Sequence, residues 1–209
     1  MIPRLKQFIE EEPLPGKDQQ YKLAPYRRLV ESIDLEKAQP RVSAVCIILY
    51  PVNQAWHSIL IERPAYEGVH SGQIAFPGGK VEESDSGLWY TAQRETYEEV
   101  GIPLGNLCFV GKLTEVYIPP SNFMVHPYIG FLPEQPNLIP DAYEVANIIQ
   151  YDVSMLLDDS IIKQRAIKHS SNINIHTSYF DIHGNAVWGA TGMVLMEFKE
   201  ILRKVYKIP

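Results

Sequence analysis

Three glutamates, Glu95, Glu98 and Glu99, follow directly on Arg94 in the run RETYEE. At i,i+3 and i,i+4 spacing they share one face of a helix. Like charges stacked on one face repel, and a helix built only for stability alternates their signs. Carboxylate oxygens with no His or Cys beside them favour a hard divalent cation, Mg2+ or Mn2+. Just upstream, Gly78 and Gly79 permit a backbone that bulkier residues would block. A ligand or metal can approach it closely, and a carbonyl there can serve as a further oxygen donor. Mg2+ shares its coordination with substrate phosphates, which points to chemistry at phosphorus. Arg94 cannot act as a base. It either orients Glu95 through a bidentate contact or offsets the surplus of acids. Alone, such a run is most often a solvated helix face. Together with the Gly-Gly turn, Asp85 and Gly101, it marks a metal site.

The elements that must hold these residues can be read around them. Residues 42–52 (VSAVCIILYPV) are β-branched and aliphatic and read as a buried strand. Asn53-Gln54 is a turn, and residues 56–62 form the hairpin partner. Residues 65–72 are a loop and 73–76 a short strand feeding Pro77-Gly78-Gly79. A helix is expected after Asp85 or Ser86, either of which could cap it, with Gly101 as its C-terminal stop. Residues 107–116, 125–132, 144–151, 161–168 and 173–182 read as strands, with a loop at 117–124, a short helix at 153–157 and a turn at 183–185. Residues 191–206 repeat apolar residues with a helical period. At the other end, residues 2–12 suit a short amphipathic helix stopped by Pro13, and residues 26–37 some helix ended by Pro40. The expected fold class is α+β, a mixed sheet covered by helices on two sides. Residues 1–40 read as an appendage packed on one domain, 41–209.

The bulk numbers bound the function. A chain of 209 residues, 45% hydrophobic and 21% charged, suits one globular domain. The net charge of -6 argues against a nucleic-acid groove and agrees with an acidic metal site. Cys46 and Cys108 are expected to be two buried thiols. The opening MIPRLKQFIEEE carries acids where a signal peptide has its apolar region, and no apolar run reaches the roughly 18 residues of a membrane span. A cytoplasmic location without membrane partners is therefore expected.

The stretch 76–102 resembles the box of the Nudix hydrolases. In that box a glycine and an acid precede an Arg-Glu pair, an apolar residue, a Glu-Glu pair, a glycine and an apolar residue at fixed spacing. Gly79, Arg94, Glu95, Glu98, Glu99, Gly101 and Ile102 match. Three positions depart: the first acid is Asp85, one extra residue separates it from Arg94, and Thr96 takes the apolar slot. The first two departures also occur in the coenzyme A pyrophosphatase branch. That branch has an upstream motif that ILIERPAYEGVHSGQIAFPGG resembles at Leu60, Arg63, Gly72 and Phe76-Pro77-Gly78-Gly79, with His70 also similar. Pro64 replaces a serine, and Gly68 stands where the branch has a second arginine. The segment 118–123 before His126-Pro127, and 187–191 before the last helix, are similar to the same branch.

The resemblance implies a Nudix-type α/β/α sandwich and a Mg2+-dependent (or Mn2+-dependent) pyrophosphohydrolase. Its substrate is a small-molecule nucleoside diphosphate derivative: coenzyme A or an acyl derivative, cleaved to 3′,5′-ADP and 4′-phosphopantetheine. ADP-ribose, a dinucleoside polyphosphate or a nucleotide sugar is the alternative, as is a non-catalytic nucleotide sensor on the same fold. Glu95, Glu98, Glu99 and Gly79 would hold metal, and Glu95 and Glu98 are the first candidates for the general base. Arg94 and Asp85 complete the catalytic set, Asp85 tying the loop to the helix. Arg63, His70, Gly78 and Gly79 would face substrate. Arg63 is equally suited to a phosphate contact or to an ion pair with Glu62 or another acid. Glu115 and Glu144 read as surface carboxylates, with an extra metal ligand or general base reaching the site from a loop as the alternative, and a homodimer is compatible with the resemblance.

Overall fold

A computed structural model describes residues 1–24, 33–65, 72–168 and 174–208. The central strand β1 (Arg41–Val52) is buried on both faces, which is why its sequence is a nearly continuous apolar run. Ile47 and Leu49 point to one core, and Ala44, Cys46, Ile48 and Tyr50 to the other. The chain reverses at Asn53 and Gln54, both at positive φ as a tight hairpin turn requires, and returns as β2 (Ala55–Glu62). Two short strands follow, β3 (Ile74–Ala75) on β2 and β4 (Gly78–Lys80) on β1. Strand β5 (Cys108–Lys112) and strand β6 (Val116–Ile118) both pair with β7 (Phe123–Phe131). Strand β7 lies parallel to β1, with Ala44 opposite His126. Strand β8 (Asn147–Asp152) completes the mixed sheet on β2. A smaller antiparallel sheet holds β9 (Ile162–Lys168), β10 (Asn174–Ile182) and β11 (Asn185–Val187) in the order β11-β10-β9.

Helices cover the large sheet on both sides. Near the N-terminus lie α1 (Ile2–Glu11), α2 (Gly16–Gln20) and the single turn α3 (Leu35–Ala38). Helix α4 (Leu88–Val100) lies in the crossover between β1 and β7, a connection that parallel strands require. Its Ala92 and Val100 pack on the Ala44–Tyr50 face. The C-terminal helix α5 (Gly189–Tyr206) buries Val194, Leu195, Phe198, Ile201 and Leu202 against the Ile47–Leu49 face, where Leu5 of α1 joins them. The result is an α/β/α sandwich with a mixed sheet.

Several expectations need correction. Helix α4 is capped by Gly87, with no side-chain bond, and not by Asp85 or Ser86. Asp85 turns inward to Arg94 instead. The single strand at 107–116 is two strands, because β5 is irregular between Phe109 and Gly111 and Thr114 is drawn to the buried Glu197. The loop at 117–124 is shorter than its prolines imply: Tyr117 and Ile118 belong to β6 and Phe123 opens β7. Strand β11 follows the turn at His183-Gly184, so Asn185 is its first residue and no longer part of the turn. Cys46 is buried, but Cys108 is exposed on β5. Of the helix expected at 26–37, the described residues hold α3 alone. Among the described residues no helix is long and apolar enough to cross a membrane.

Candidate active site

Strand β4 and helix α4 bring the Gly-Gly turn against the glutamate face. Gly78 sits at φ +148, where an ideal Cβ would lie 2.4 Å from the Ala44 carbonyl oxygen. Its amide donates to Glu99 Oε2 at 2.8 Å, and its carbonyl accepts from Arg63 Nη2 at 3.0 Å. Arg63 Nη2 also stands 3.3 Å from Glu99 Oε1. The ion-pair partner of Arg63 is thus Glu99, not its neighbour Glu62. At Gly79 the space of a side chain is taken by the Glu95 carboxylate, whose Cδ lies 2.4 Å from an ideal Cβ position. Only glycine leaves this cradle open.

Arg94 organises the other half of the site. Its Nε donates to Asp85 Oδ1 at 2.9 Å and its Nη2 to Asp85 Oδ2 at 3.0 Å, a bidentate fork. Its Nη1 reaches Glu95 Oε1 and Glu98 Oε2, each at 2.9 Å, and Nη2 also reaches the Lys80 carbonyl at 3.0 Å. The Asp85 side chain is fully buried. It further accepts from Glu82 N–H at 2.9 Å and the Thr91 hydroxyl at 2.8 Å. The Arg94 hydrogen bonds hold the Asp85 carboxyl well below the usual carboxylate range, and Asp85 in turn pushes the guanidinium up. Thr96, in the slot where an apolar residue is expected, is buried and satisfies its hydroxyl on the Ala92 carbonyl at 2.7 Å.

Glu95 and Glu99 are the electrostatically strained pair. Burial raises the Glu95 carboxyl, and the nearby Arg94 only partly offsets this. Burial pushes Glu99 up to about 8 against the opposing pull of Arg63 and the Gly78 amide. A second loop adds more negative charge. Ile139 N–H bonds the Val100 carbonyl and Asp141 N–H the Glu99 carbonyl, both at 3.0 Å. Asp141 Oδ1 then accepts from Tyr143 N–H at 2.8 Å and Glu144 N–H at 3.0 Å. Glu144, in the turn before β8, raises both Glu95 and Glu99 by repulsion. Glu115 acts electrostatically on His126 of β7, whose Ala44 partner also pairs with Gly79.

The fold thus assembles Asp85, Arg94, Glu95 and Glu98 as one hydrogen-bonded network. Glu99, Arg63, Gly78 and Gly79 adjoin it. His70 and Gly68 lie outside the described residues. Among the described residues, no three His, Cys, Asp or Glu side chains converge on a point, and Arg94 and Arg63 pair with the box carboxylates. The donors nevertheless suit Mg2+ or Mn2+. They are hard oxygens on a rigid helix, in a site where burial leaves two carboxyls short of positive charge. Sequence reasoning missed Thr91 and the Lys80 carbonyl, for which no local signal exists.

The sequence profile of the NUDIX domain matches residues 40–162. The chain belongs to the Nudix family. A Nudix hydrolase of Citrobacter koseri, NudL, described as uncharacterized, is 30% identical over 181 residues, 84% of this chain and 90% of the relative. Its Yersinia pestis (strain Pestoides F) counterpart is 33% identical over 138 residues, 66% of this chain and 68% of the relative. Among solved structures, the Nudix hydrolase RenU of M. smegmatis superposes with a TM-score of 0.55 at 16% identity, covering 81% of this chain and 88% of that one. A C. elegans Ap4A hydrolase gives 0.52 at 17% identity, covering 78% and 98%. At such identities these two share the fold. This Nudix hydrolase is a pyrophosphatase, acting on the phosphoanhydride of a nucleoside diphosphate derivative. Enzymes of this family generally use divalent cations such as Mg2+.

Proposed function

We propose that this Nudix hydrolase cleaves coenzyme A or an acyl-coenzyme A at its diphosphate, releasing 3′,5′-ADP and (acyl-)4′-phosphopantetheine. The observation that carries the reading is Arg63. It comes from the upstream motif, yet it donates to the Gly78 carbonyl and pairs with Glu99 of the box. The two motifs that resemble the coenzyme A branch therefore meet at one point.

Glu95, Glu98 and Glu99, with the Gly79 carbonyl, are the residues that would hold Mg2+ or Mn2+. When bound, the cation supplies charge neutralisation at phosphorus and an activated water. The chain's own residues do the positioning. Asp85 fixes Arg94, and Arg94 holds Glu98 and Glu95, the latter against Gly79. Glu95 and Glu98 are the candidates to take the proton from the attacking water. Arg63, with Gly78 and Gly79, would face the substrate, and the upstream motif assigns His70 the same role. Nearby, Arg63 can exchange its contact with Glu99 for a phosphate oxygen once a cation satisfies that carboxylate.

A Mg2+-supplemented panel of coenzyme A, acyl-coenzyme A, ADP-ribose, dinucleoside polyphosphates and nucleotide sugars tests this, with products scored by mass. Preferential release of 3′,5′-ADP is expected. Preferential cleavage of another member overturns the substrate assignment and favours the reading kept alive by Gly68. Glu99→Gln should fold normally and lose cation-dependent turnover; near wild-type turnover in that variant removes Glu99 from the metal set.

A further inference from the structure

Residues 139–146 bridge the two elements that carry the charged groups of the site. At one end Ile139 N–H bonds the Val100 carbonyl and Asp141 N–H the Glu99 carbonyl, both at 3.0 Å, on the last turn of α4. At the other end Ala146 N–H bonds the Glu62 carbonyl at 2.8 Å, one residue before Arg63. The segment therefore runs along the rim from Glu99 to Arg63, two residues that themselves pair. Burial lifts the carboxyls of Glu95 and Glu99, and repulsion from Glu144 adds to it, so Glu144 lies within electrostatic reach of both.

The backbone of this segment is fixed. Val145 N–H bonds the Asp141 carbonyl at 3.0 Å, closing a single turn over 141–145. Within that turn Asp141 Oδ1 accepts from Tyr143 N–H and Glu144 N–H. Val145 is buried with Val100 in the core, whereas residues 142–144 are exposed and form the crest. Tyr143, in the middle of that crest, is 91% exposed, more than any other large apolar side chain among the described residues. A lone exposed apolar residue is ordinary on any surface. This one differs in its setting. It stands on a hydrogen-bonded turn, next to Glu144, on a segment that joins Glu99 to Arg63.

A tyrosine ring presents a large flat face at the cost of only two rotatable bonds. Nucleobases stack on such rings whatever their hydrogen-bonding pattern, because every base has a π-face. A nucleoside diphosphate derivative carries a base on the ribose next to its diphosphate. With the diphosphate at Gly78, Gly79 and Arg63, the nucleoside extends out of the glycine cradle, which Glu95 already fills, towards the surrounding rim. Tyr143 is the one aromatic residue in 139–146.

We propose that Tyr143 is a specificity-determining residue, the platform on which the base of the substrate stacks. The proposal rests on a nucleoside diphosphate derivative as substrate and does not depend on the group beyond the second phosphate.

Two ligands without a cleavable anhydride test it: α,β-methylene-ADP, which carries a base, and methylenediphosphonate, which does not. Calorimetry in Mg2+ reads both. Wild-type protein should bind the first more tightly than the second. Tyr143→Ala should weaken α,β-methylene-ADP roughly tenfold and leave methylenediphosphonate unchanged, and Tyr143→Phe, which keeps the ring, should restore the difference. The side chain is 91% exposed, so its removal costs little packing and the variants should melt with the wild type. In hydrolysis the loss in Tyr143→Ala should fall on KM and not on kcat, as for a contact made equally in the ground and transition states. Wild-type affinity of Tyr143→Ala for α,β-methylene-ADP, or an equal loss for both ligands, overturns the platform. Coenzyme A cleavage with an unchanged KM in Tyr143→Ala overturns the platform alone. If the substrate panel shows no coenzyme A cleavage while Tyr143→Ala still loses α,β-methylene-ADP selectively, the substrate assignment fails and the platform stands.

Discussion

Two adjacent glycines, changed one at a time, should separate folding from chemistry. An ideal Cβ on Gly79 lies 2.4 Å from Glu95 Cδ and Oε2, and 2.5 Å from Oε1. Ordinary contact distances require the carboxylate to retreat by about 1 Å. Glu95 can do so, because its carboxylate is the free end of a side chain. The local cost is its 2.9 Å hydrogen bond from Arg94, a net loss of about 1 kcal/mol. The same 1 Å displacement of a reacting group lowers kcat by about 100-fold. Gly78 is different. Its Cβ would meet the Ala44 carbonyl oxygen at 2.4 Å and Val45 Cα at 2.5 Å, both backbone, at φ +148. Neither can move without breaking the β1–β4 pairing, so Gly78→Ala should cost about 3 kcal/mol or more. Thermal unfolding and Mg2+-dependent hydrolysis, measured side by side, check the pair. Gly79→Ala should melt near wild type and turn over poorly, whereas Gly78→Ala should melt much lower. Wild-type kcat in Gly79→Ala, or equal melting of the two variants, refutes the cradle.

Three further outcomes are expected. Arg94→Ala strips the fully buried Asp85 side chain of its counter-charge and should lower stability by about 3 kcal/mol, read from urea midpoints; an unchanged midpoint denies the pair that weight. Burial holds the Glu197 carboxyl above its usual range, so the folded protein keeps a proton that the unfolded chain releases. That contribution to stability is full below the ordinary carboxyl range and is lost as pH rises through the folded value. The melting difference between Glu197→Gln and wild type should therefore shift in the variant's favour from acid to neutral pH, and a constant difference counts against it. Burial pushes the Cys46 thiol up to about 12, so a thiol reagent should modify exposed Cys108 in the native protein and Cys46 only after unfolding; early labelling of Cys46 contradicts the packing of β1.

Much of the site is legible in one dimension because its parts are local. The i,i+3 and i,i+4 spacing of Glu95, Glu98 and Glu99 is a property of one helix, and Gly101, at φ +76, ends that helix as its position implies. The cap was misread for a physical reason. Asp85 has the chemistry of an N-cap, but a fixed guanidinium nearby offers a stronger, bidentate partner than a backbone amide. Cys108 was misread because flanking apolar residues signal burial only if the strand lies inside the sheet, and β5 lies at its margin.

By itself the chain's order of residues determined the α+β pattern, the buried central strand, the glutamate face and the Gly-Gly turn that opposes it. Each depends on backbone periodicity or on the conformational freedom of glycine, and these act over a few residues. Only the tertiary structure decided that Arg63 pairs with Glu99, that Thr91 and Lys80 support the Asp85–Arg94 fork, and that Glu197 ties Gly16 and Gln20 to Thr114. Those partners stand on different elements, and no period in the sequence encodes which buried polar groups will meet. Burial in a shared core sets the choice, because a buried donor or acceptor left without a partner is costly.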